Sequence, residues 1–306
     1  MLKFIIGLFL SLSSMVTIAQ GRDPVSWKIV TEQVDSLTYQ VSLQAVIKKP
    51  YHIYPIKSSG GGLGMPTSIV FEQNSNIDFL GSIAEKGLEE NQGKQLPYYK
   101  EGVSFSQKIK LKDDKSQLLE LTVKYMACND RMCLPPAKQT FSVMINGDQI
   151  NSGIEVDMAD SSVAPIEERP YQDFEMIDTE GKVVSSHDIV RESAYTFIDF
   201  WASWCSPCRV QGKALIPLFQ KYKSDGLRVI AISLDTSQEK WVKAIEADGY
   251  TWTNLSDLKG FESPLAKYYD IKAIPRNFLI DPQGNIIARD LHGQDLENKL
   301  AELFKN

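Results

Sequence analysis

The chain has 306 residues, a formal net charge of −6, three histidines and four cysteines. That length is enough for two domains, each with its own hydrophobic core. The acidic balance argues against nucleic acid as a partner, because nucleic-acid binding usually needs a basic surface. Few histidines and widely separated cysteine pairs also give no reason to expect a metal or another cofactor.

The first 19 residues have the three parts of a secretory signal peptide. Lys3 supplies the positive charge, Phe4 to Leu12 form a short apolar segment, and Thr17 to Ala19 form a small-residue exit. The apolar segment is short for a bilayer-spanning helix, and an uncleaved anchor is the alternative interpretation. We therefore expect an exported protein that is soluble in the periplasm after cleavage, where disulfides persist.

Residues 20–147 have the pattern of an all-β domain. Apolar and polar residues alternate in several runs, which is typical of strands with one buried face. Turn residues separate the runs, and a β-sandwich is the fold expected. The glycine-rich stretch at 60–64 lacks the ending of a phosphate-binding loop, so we interpret it as a flexible loop. The alternating runs are Leu37–Ile47, Val103–Leu111, Leu119–Tyr125 and Phe141–Val143.

Residues 148–169 combine acidic residues, serines and two prolines, which is typical of a solvated linker. From 170 to 306, short apolar strands alternate with helices, and this pattern predicts an α/β fold with crossover helices. A turn at Asp281–Asn285 predicts that the last two strands form an antiparallel hairpin. The predicted strands are Tyr195–Phe200, Leu227–Leu234 and Asn277–Asp281, and the predicted helices are Arg209–Lys223, Gln238–Asp248, Ser263–Tyr269 and Gln294–Phe304.

A Cys-x-x-Cys dithiol, Cys205 and Cys208, follows an apolar strand and opens a predicted helix. The partial positive charge of a helix N-terminus favours thiolate over thiol at the first sulfur. Because the thiolate is the nucleophile of disulfide exchange, this context predicts a redox centre. Half of a zinc site is the alternative interpretation of the spacing, and the distant cysteines and histidines support it poorly.

Trp204 precedes the dithiol, and an Ile274-Pro275 dipeptide precedes a later strand. With these motifs, residues 170–306 resemble the thioredoxin-fold TlpA/ResA-type thiol:disulfide oxidoreductases that bacteria export. The resemblance implies that Cys205 is the attacking thiolate and Cys208 the resolving thiol. It also implies that Pro275 is a cis-proline that turns the Ile274 backbone toward a substrate.

The dipeptide between the two cysteines is Ser206-Pro207 and contains no histidine. A histidine there tends to make a stronger oxidant, so its absence favours a reductant or an isomerase. The candidate substrate contacts are the residues that surround the dithiol in the motif, Trp204, Pro207 and Ile274.

Asp199 occupies an alternating strand position beneath the dithiol, where burial in an apolar strand would raise its pKa. The resemblance to thioredoxin implies that this acid helps to deprotonate Cys208, and perturbed carboxylates cluster at working sites. The alternative is a core carboxylate paired with a lysine. The chain departs from the ResA pattern at two positions, with Gln211 in place of a glutamate and Lys213 in place of a proline.

Cys128 and Cys133 are separated by a polar loop and followed by two prolines. If strands flank the loop as a hairpin, the two Cβ atoms face each other at a bondable distance. A structural staple is one interpretation, although so short a loop gains little from restricting the unfolded chain.

This stretch and the segment Pro50–Pro55 resemble the N-terminal immunoglobulin-like domain of DsbD. The resemblance implies that Cys128 and Cys133 are redox-active and shielded by an aromatic cap. Tyr98 and Tyr99 are the candidates for that cap.

Together these features predict an exported two-domain thiol:disulfide oxidoreductase that reduces or isomerises disulfides of partner proteins. DsbD has a central membrane domain where this chain has the linker, which implies that a separate membrane electron donor of the DsbD/CcdA type supplies electrons. An exchange between the two cysteine pairs is a hypothesis. The alternatives are a β-domain binding module with a structural 128–133 disulfide, and a disulfide-forming oxidase.

Overall fold

The computed structural model describes residues 23–57, 62–90, 97–146 and 169–305. The predicted signal peptide and all of the predicted linker except residue 169 lie outside these ranges. Within them, no helix is long and apolar enough to cross a membrane.

The N-terminal domain is an antiparallel β-sandwich, as the alternating pattern predicts. Its sheets have the strand orders β1-β2-β5-β4 and β3-β6-β7, and every neighbouring pair is antiparallel. The strands are β1 (Val25–Asp35), β2 (Thr38–Ile47), β3 (Ser68–Phe71), β4 (Ile77–Glu90), β5 (Tyr98–Leu111), β6 (Gln117–Tyr125) and β7 (Ala137–Ile145).

The sandwich core forms because successive side chains of a strand point to opposite faces of its sheet. β6 buries every second residue, Leu119, Leu121, Val123 and Tyr125. These side chains share one apolar cluster with residues of β2 and β5, which lie in the other sheet. The two sheets therefore pack face to face, and one end of the sandwich carries the loop between β6 and β7.

The C-terminal domain is an α/β layer with one seven-stranded sheet of order β14-β13-β10-β11-β12-β8-β9. β10, β11 and β12 are parallel, whereas β13 is antiparallel to β10 and forms the predicted hairpin with β14. Its elements are β8 (Glu175–Asp178), β9 (Val183–Ser185), α1 (Ser186–Arg191), β10 (Tyr195–Trp201), α2 (Ser206–Tyr222), β11 (Leu227–Ser233), α3 (Gln238–Asp248), β12 (Thr253–Ser256), α4 (Pro264–Tyr268), β13 (Arg276–Ile280), β14 (Ile286–Arg289) and α5 (Gln294–Leu303).

Strand β10 lies in the interior of this sheet, with β11 on one side and β13 on the other. Every residue from Thr196 to Trp201 is buried, because helices cover both faces of a parallel sheet. The strand ends at Trp201, and α2 begins at Ser206 after a short turn. The carboxyl end of the most buried strand therefore delivers the dithiol to the start of α2.

Helix α2 approaches the core most closely at Gly212, where an added Cβ would lie 2.3 Å from the hydroxyl oxygen of Tyr250. The Tyr250 ring stacks on Trp252 at 4.8 Å and meets Trp201 edge-on at 5.2 Å, which restricts its movement. Gly212 is thus required by packing and not by backbone conformation.

We expect Gly212→Ala to lower the free energy of unfolding by about 1–3 kcal/mol, because overpacking outweighs the better helix propensity of alanine. Urea denaturation followed by circular dichroism measures the change. Glu246→Ala, at an exposed position of α3, is the control and should stay within about 0.5 kcal/mol of the parent. A Gly212→Ala protein as stable as the parent would contradict this packing argument.

Candidate active site

Cys205 and Cys208 lie at the N-terminus of α2 and are joined to each other in a disulfide. Cys205 is the N-cap residue, and its Sγ accepts a hydrogen bond from the backbone N–H of Cys208 at 3.3 Å. Pro207 occupies the first turn, where its missing N–H is not needed. In the reduced protein, the same N–H group and the helix dipole would stabilise a thiolate on Cys205.

The turn before the dithiol is held by Asp235, a residue that the sequence analysis missed. The backbone N–H and the hydroxyl of Ser203 donate to its carboxylate at 2.8 and 2.6 Å, and the Ser233 hydroxyl donates at 2.7 Å. Burial raises the pKa of Asp235, and these donors oppose that effect. A carboxylate directly after a buried parallel strand, next to the strand that carries the dithiol, is the signal that could have revealed it.

Asp199 lies on β10 with 4% of its surface exposed. Burial raises the pKa of its carboxyl group well above the ordinary value, and a hydrogen bond from Gln211 Nε2 at 3.0 Å opposes the rise. Gln211 Oε1 in turn accepts a hydrogen bond from His292 Nδ1. The partner of the carboxylate in this structure is therefore an amide oriented by a histidine, and not the lysine of the alternative interpretation.

The Ile274–Pro275 peptide bond is cis, and this dipeptide lies beside the dithiol. The carbonyl oxygen of Ile274 is 3.8 Å from Cys205 Sγ. Trp204, on the other side of the dithiol, is half-buried against the same apolar cluster, with its ring 6.4 Å from that of Phe261. Of the predicted substrate contacts, Ile274 thus lies against Cys205 in space, while Trp204 and Pro207 are close to it along the chain.

In the N-terminal domain, Cys128 and Cys133 form a disulfide across the loop between β6 and β7. The two cysteines face each other in an antiparallel bridge, as a hairpin placement predicts. On its other side Cys128 faces His52, and these two residues exchange both backbone hydrogen bonds, at 2.8 and 3.0 Å. The pair is therefore part of a small ladder at the end of the sandwich.

That ladder continues into the other domain. Cys133 and Ile274 exchange both backbone hydrogen bonds, from Cys133 N to Ile274 O at 2.8 Å and from Ile274 N to Cys133 O at 3.1 Å. A second contact is made by the backbone N–H of Gly64, which donates to the carbonyl of Trp204 at 2.9 Å. One row of four residues, His52, Cys128, Cys133 and Ile274, therefore crosses the domain interface.

Both disulfides lie in one buried cluster at this interface, together with Tyr54, Met126 and Ile274. Cys128, Cys133 and Cys205 are 0% exposed and Cys208 is 1% exposed. The structure thus brings together two cysteine pairs that are more than seventy residues apart in the sequence.

The two candidate cap tyrosines occupy different places. The ring of Tyr98 stacks on His52 at 4.4 Å and packs against the interface cluster. Tyr99 is buried in the core of the sandwich and is paired through its backbone with Ile53. Of the two, Tyr98 is the one beside the 128–133 pair.

Among the described residues, no group of three or more histidine, cysteine or acidic side chains is placed to hold a metal ion. A disulfide at a helix N-terminus, beside a cis-proline on an α/β sheet, defines a thioredoxin-fold thiol:disulfide oxidoreductase. The second disulfide belongs to an antiparallel β-domain that is docked against it.

Comparison with known proteins agrees with this class. The family model described as "AhpC/TSA family" matches residues 168–289, and "Thiol:disulfide interchange protein DsbD, N-terminal" matches residues 26–145. ResA of Bacillus thuringiensis subsp. konkukian is 29% identical over 132 residues, which cover 43% of this chain and 73% of that protein. The thioredoxin-like protein YneN of Bacillus subtilis is 30% identical over 134 residues, 42% of this chain and 73% of that protein.

Among solved structures, a thiol-disulfide oxidoreductase from Bacteroides fragilis is 36% identical and covers 44% of this chain and all of its own, with a TM-score of 0.42. The chain belongs to the thioredoxin-like family of thiol:disulfide oxidoreductases and carries an N-terminal domain of the DsbD type. Protein thiols and disulfides are accordingly its substrates.

Asp199→Asn should have opposite effects on stability and on rate. The folded pKa of Asp199 is raised, so its stabilising contribution is complete below the unfolded pKa and is lost as pH rises through the folded pKa. The variant should therefore be more stable than the parent, by a margin that grows as pH rises above the ordinary carboxyl value of 3.8. Its rate of disulfide reduction should fall at least ~10-fold, because a proton acceptor near the dithiol is lost.

Chemical denaturation at several pH values and insulin reduction with dithiothreitol measure the two effects. Asp225→Asn changes an exposed carboxylate and is the matched control for both. A stability difference that shrinks as pH rises would contradict the raised pKa of Asp199, and an unchanged reduction rate would show that Asp199 does not take part in proton transfer.

Proposed function

We propose that this protein reduces or isomerises protein disulfides outside the cytoplasm, and that electrons pass between its two cysteine pairs. The observation that carries the proposal is the backbone pairing of Cys133 with Ile274. A substrate that adds a strand to an exposed backbone edge is held by main-chain hydrogen bonds. Cys133 therefore occupies the place in which a substrate cysteine would lie beside Cys205.

The transfer begins when the Cys205 thiolate attacks Cys133 Sγ. The Cys128–Cys133 bond breaks, a Cys205–Cys133 bond forms, and the electron pair leaves on Cys128 Sγ. Cys208 then attacks Cys205 and releases Cys133, while its proton passes through Asp199 or solvent to Cys133. Two electrons have then moved from the C-terminal pair to the N-terminal pair.

The burial of the four cysteines supports two alternating states of the protein. In the docked state all four cysteines are at most 1% exposed, so a partner protein has no access to either pair. When the domains separate, Cys205 would meet its electron donor and the 128–133 dithiol would meet a substrate disulfide. The linker predicted at 148–169 would permit this separation.

Three features of the sequence support the remaining parts of the proposal. The predicted signal peptide and four cysteines in close pairs fit the periplasm, where disulfides persist. The match to the DsbD N-terminal domain supports a membrane electron donor of the DsbD/CcdA type, as a separate protein. Together with Cys205, Cys208 and Asp199, we assign Trp204, Pro207, Ile274 and Pro275 to the site of the C-terminal domain, and Cys128, Cys133 and Tyr98 to that of the N-terminal domain.

The Cys208→Ser variant should accumulate a disulfide between Cys205 and Cys133 of the same chain. Without Cys208, the mixed disulfide cannot be resolved. Peptide mapping by mass spectrometry under non-reducing conditions identifies the bond, and a yield independent of protein concentration shows that it is intramolecular.

The matched control is the double variant Cys208→Ser, Cys133→Ser, in which this species must be absent. A bond from Cys205 to Cys128, or bonds to other proteins alone, would contradict the docking that supports the proposal.

The reduction potentials of the two pairs should differ in the direction of the proposed transfer. We expect the 205–208 pair near the thioredoxin value of about −270 mV and the 128–133 pair at a less negative potential. Alkylation and mass spectrometry across a thiol redox buffer series measure both. A 205–208 value near about −120 mV would indicate an oxidase, and a 128–133 disulfide that is never reduced would indicate a structural staple.

A further inference from the structure

His52 is a buried titratable group beside the N-terminal disulfide that the transfer described above does not use. It is 7% exposed and lies directly opposite Cys128 in the interface ladder. Directly opposed residues of an antiparallel pair have their side chains on the same face, with Cβ atoms about 5 Å apart. The imidazole and the Cys128 sulfur therefore share one side of the ladder.

The surroundings of His52 keep the ring in place. Its Nε2 is 3.1 Å from the hydroxyl of Tyr54, and its ring stacks on Tyr98 with 4.4 Å between centroids. Burial lowers the pKa of His52 to about 4, the charge of Asp130 opposes this change, and that of Lys100 adds to it. In the oxidised protein the imidazole is therefore neutral at physiological pH.

Reduction of the disulfide changes the charge next to His52. Attack on Cys133 leaves the electron pair on Cys128, and a thiolate appears in a buried cluster of largely apolar side chains. An unpaired thiolate in such surroundings is unfavourable, and its pKa would rise. The ring shares the face of the ladder on which this charge develops, and an imidazole N–H is a hydrogen-bond donor.

We propose that His52 pairs with the Cys128 thiolate in the reduced protein and thereby makes the N-terminal pair the better electron acceptor. The inference rests on the proposed transfer between the pairs and names the residue that favours its direction. A negative charge on Cys128 raises the proton affinity of the neighbouring imidazole, so the ring either donates a hydrogen bond or takes up a solvent proton. Either way the reduced form is stabilised, and the pair becomes more oxidising.

The test uses the full chain with Cys205→Ser and Cys208→Ser, so that only Cys128 and Cys133 can be thiols. In this protein the thiolate absorbance of the reduced state is titrated against pH, and the redox equilibrium with a thiol buffer is measured. Adding His52→Gln should lower the thiolate fraction at neutral pH about 10-fold. The potential of the 128–133 pair should then fall by ~30 mV, the equivalent of that factor.

Two further variants separate pairing from packing. His52→Phe keeps an aromatic ring to stack on Tyr98 but removes the donor, and it should behave as His52→Gln does. His187→Gln, at an exposed histidine bonded to Asp173 at 2.9 Å, is the matched control and should change neither quantity. Circular dichroism verifies that each variant is folded, and His52→Gln retains a polar group for Tyr54.

Unchanged thiolate titration and potential in both folded His52 variants would overturn the inference. So would a low-pKa thiol that isotope-labelled alkylation assigns to Cys133 instead of Cys128. Because Cys205 and Cys208 are absent, this experiment does not depend on transfer between the pairs. Failure of that transfer is detected separately, by the absence of the 205–133 bond in the Cys208→Ser protein.

Discussion

Two backbone hydrogen bonds between Cys133 and Ile274 place the N-terminal disulfide beside the dithiol of the C-terminal domain, and the proposed transfer between the pairs depends on them. Without them the molecule would be a β-sandwich with a disulfide, tethered to a thioredoxin-like domain with another. With them, the loop between β6 and β7 becomes an additional strand at the edge beside the cis-proline. Main-chain pairing of this kind places a cysteine without demanding particular side chains. It therefore suits a site that must also accept other protein substrates.

The interface is largely apolar, and the titratable groups close to the dithiols each have a specific partner. Asp199 is bonded to Gln211, Asp235 to Ser203, and His52 to Tyr54. A buried polar group without a partner is unfavourable, whereas one with a partner can hold a loop or tune a proton affinity. The three groups differ in the result: Asp235 holds the turn before Cys205, whereas Asp199 and His52 are the groups that we propose respond to charge on sulfur.

Shielding and reactivity are combined in one contact. When the domains are docked, each cysteine pair covers the other, and the sulfur atoms are protected from adventitious thiols. The same contact is the one in which we propose that the pairs exchange electrons. Docking that was too tight would therefore block partner proteins. Among the described residues, the backbone contacts across the interface are the pairing of Cys133 with Ile274 and the hydrogen bond from Gly64 to Trp204, and a set of this size is consistent with a reversible association.

Much of the architecture could be predicted from local patterns. The period-two runs predict β2, β5, β6 and β7, since one buried face is a local property of a strand. The predicted helix Gln238–Asp248 coincides with α3, which has Ser237 as its N-cap and ends before a glycine. Helix α2 begins three residues earlier than predicted, because Cys205 itself is the N-cap. Six strands, β1, β3, β4, β8, β9 and β12, and the helix α1 were not predicted. The short ones among these strands, β3, β8, β9 and β12, depend on their neighbours in the sheets.

For the functional site too, local patterns in the sequence predict some features and not others. The sequence predicted both cysteine pairs, Asp199 and the Ile274-Pro275 dipeptide as site residues, because motif spacing and hydrophobic context are local, and their roles stay predictions. It was not sufficient to separate Tyr98, beside the disulfide, from Tyr99, in the core, because that difference is one of strand orientation. Only the tertiary structure revealed three features of the site: Asp235, His52 and the pairing of Cys133 with Ile274. Each of them joins segments that are distant along the chain, and no local pattern encodes such a contact.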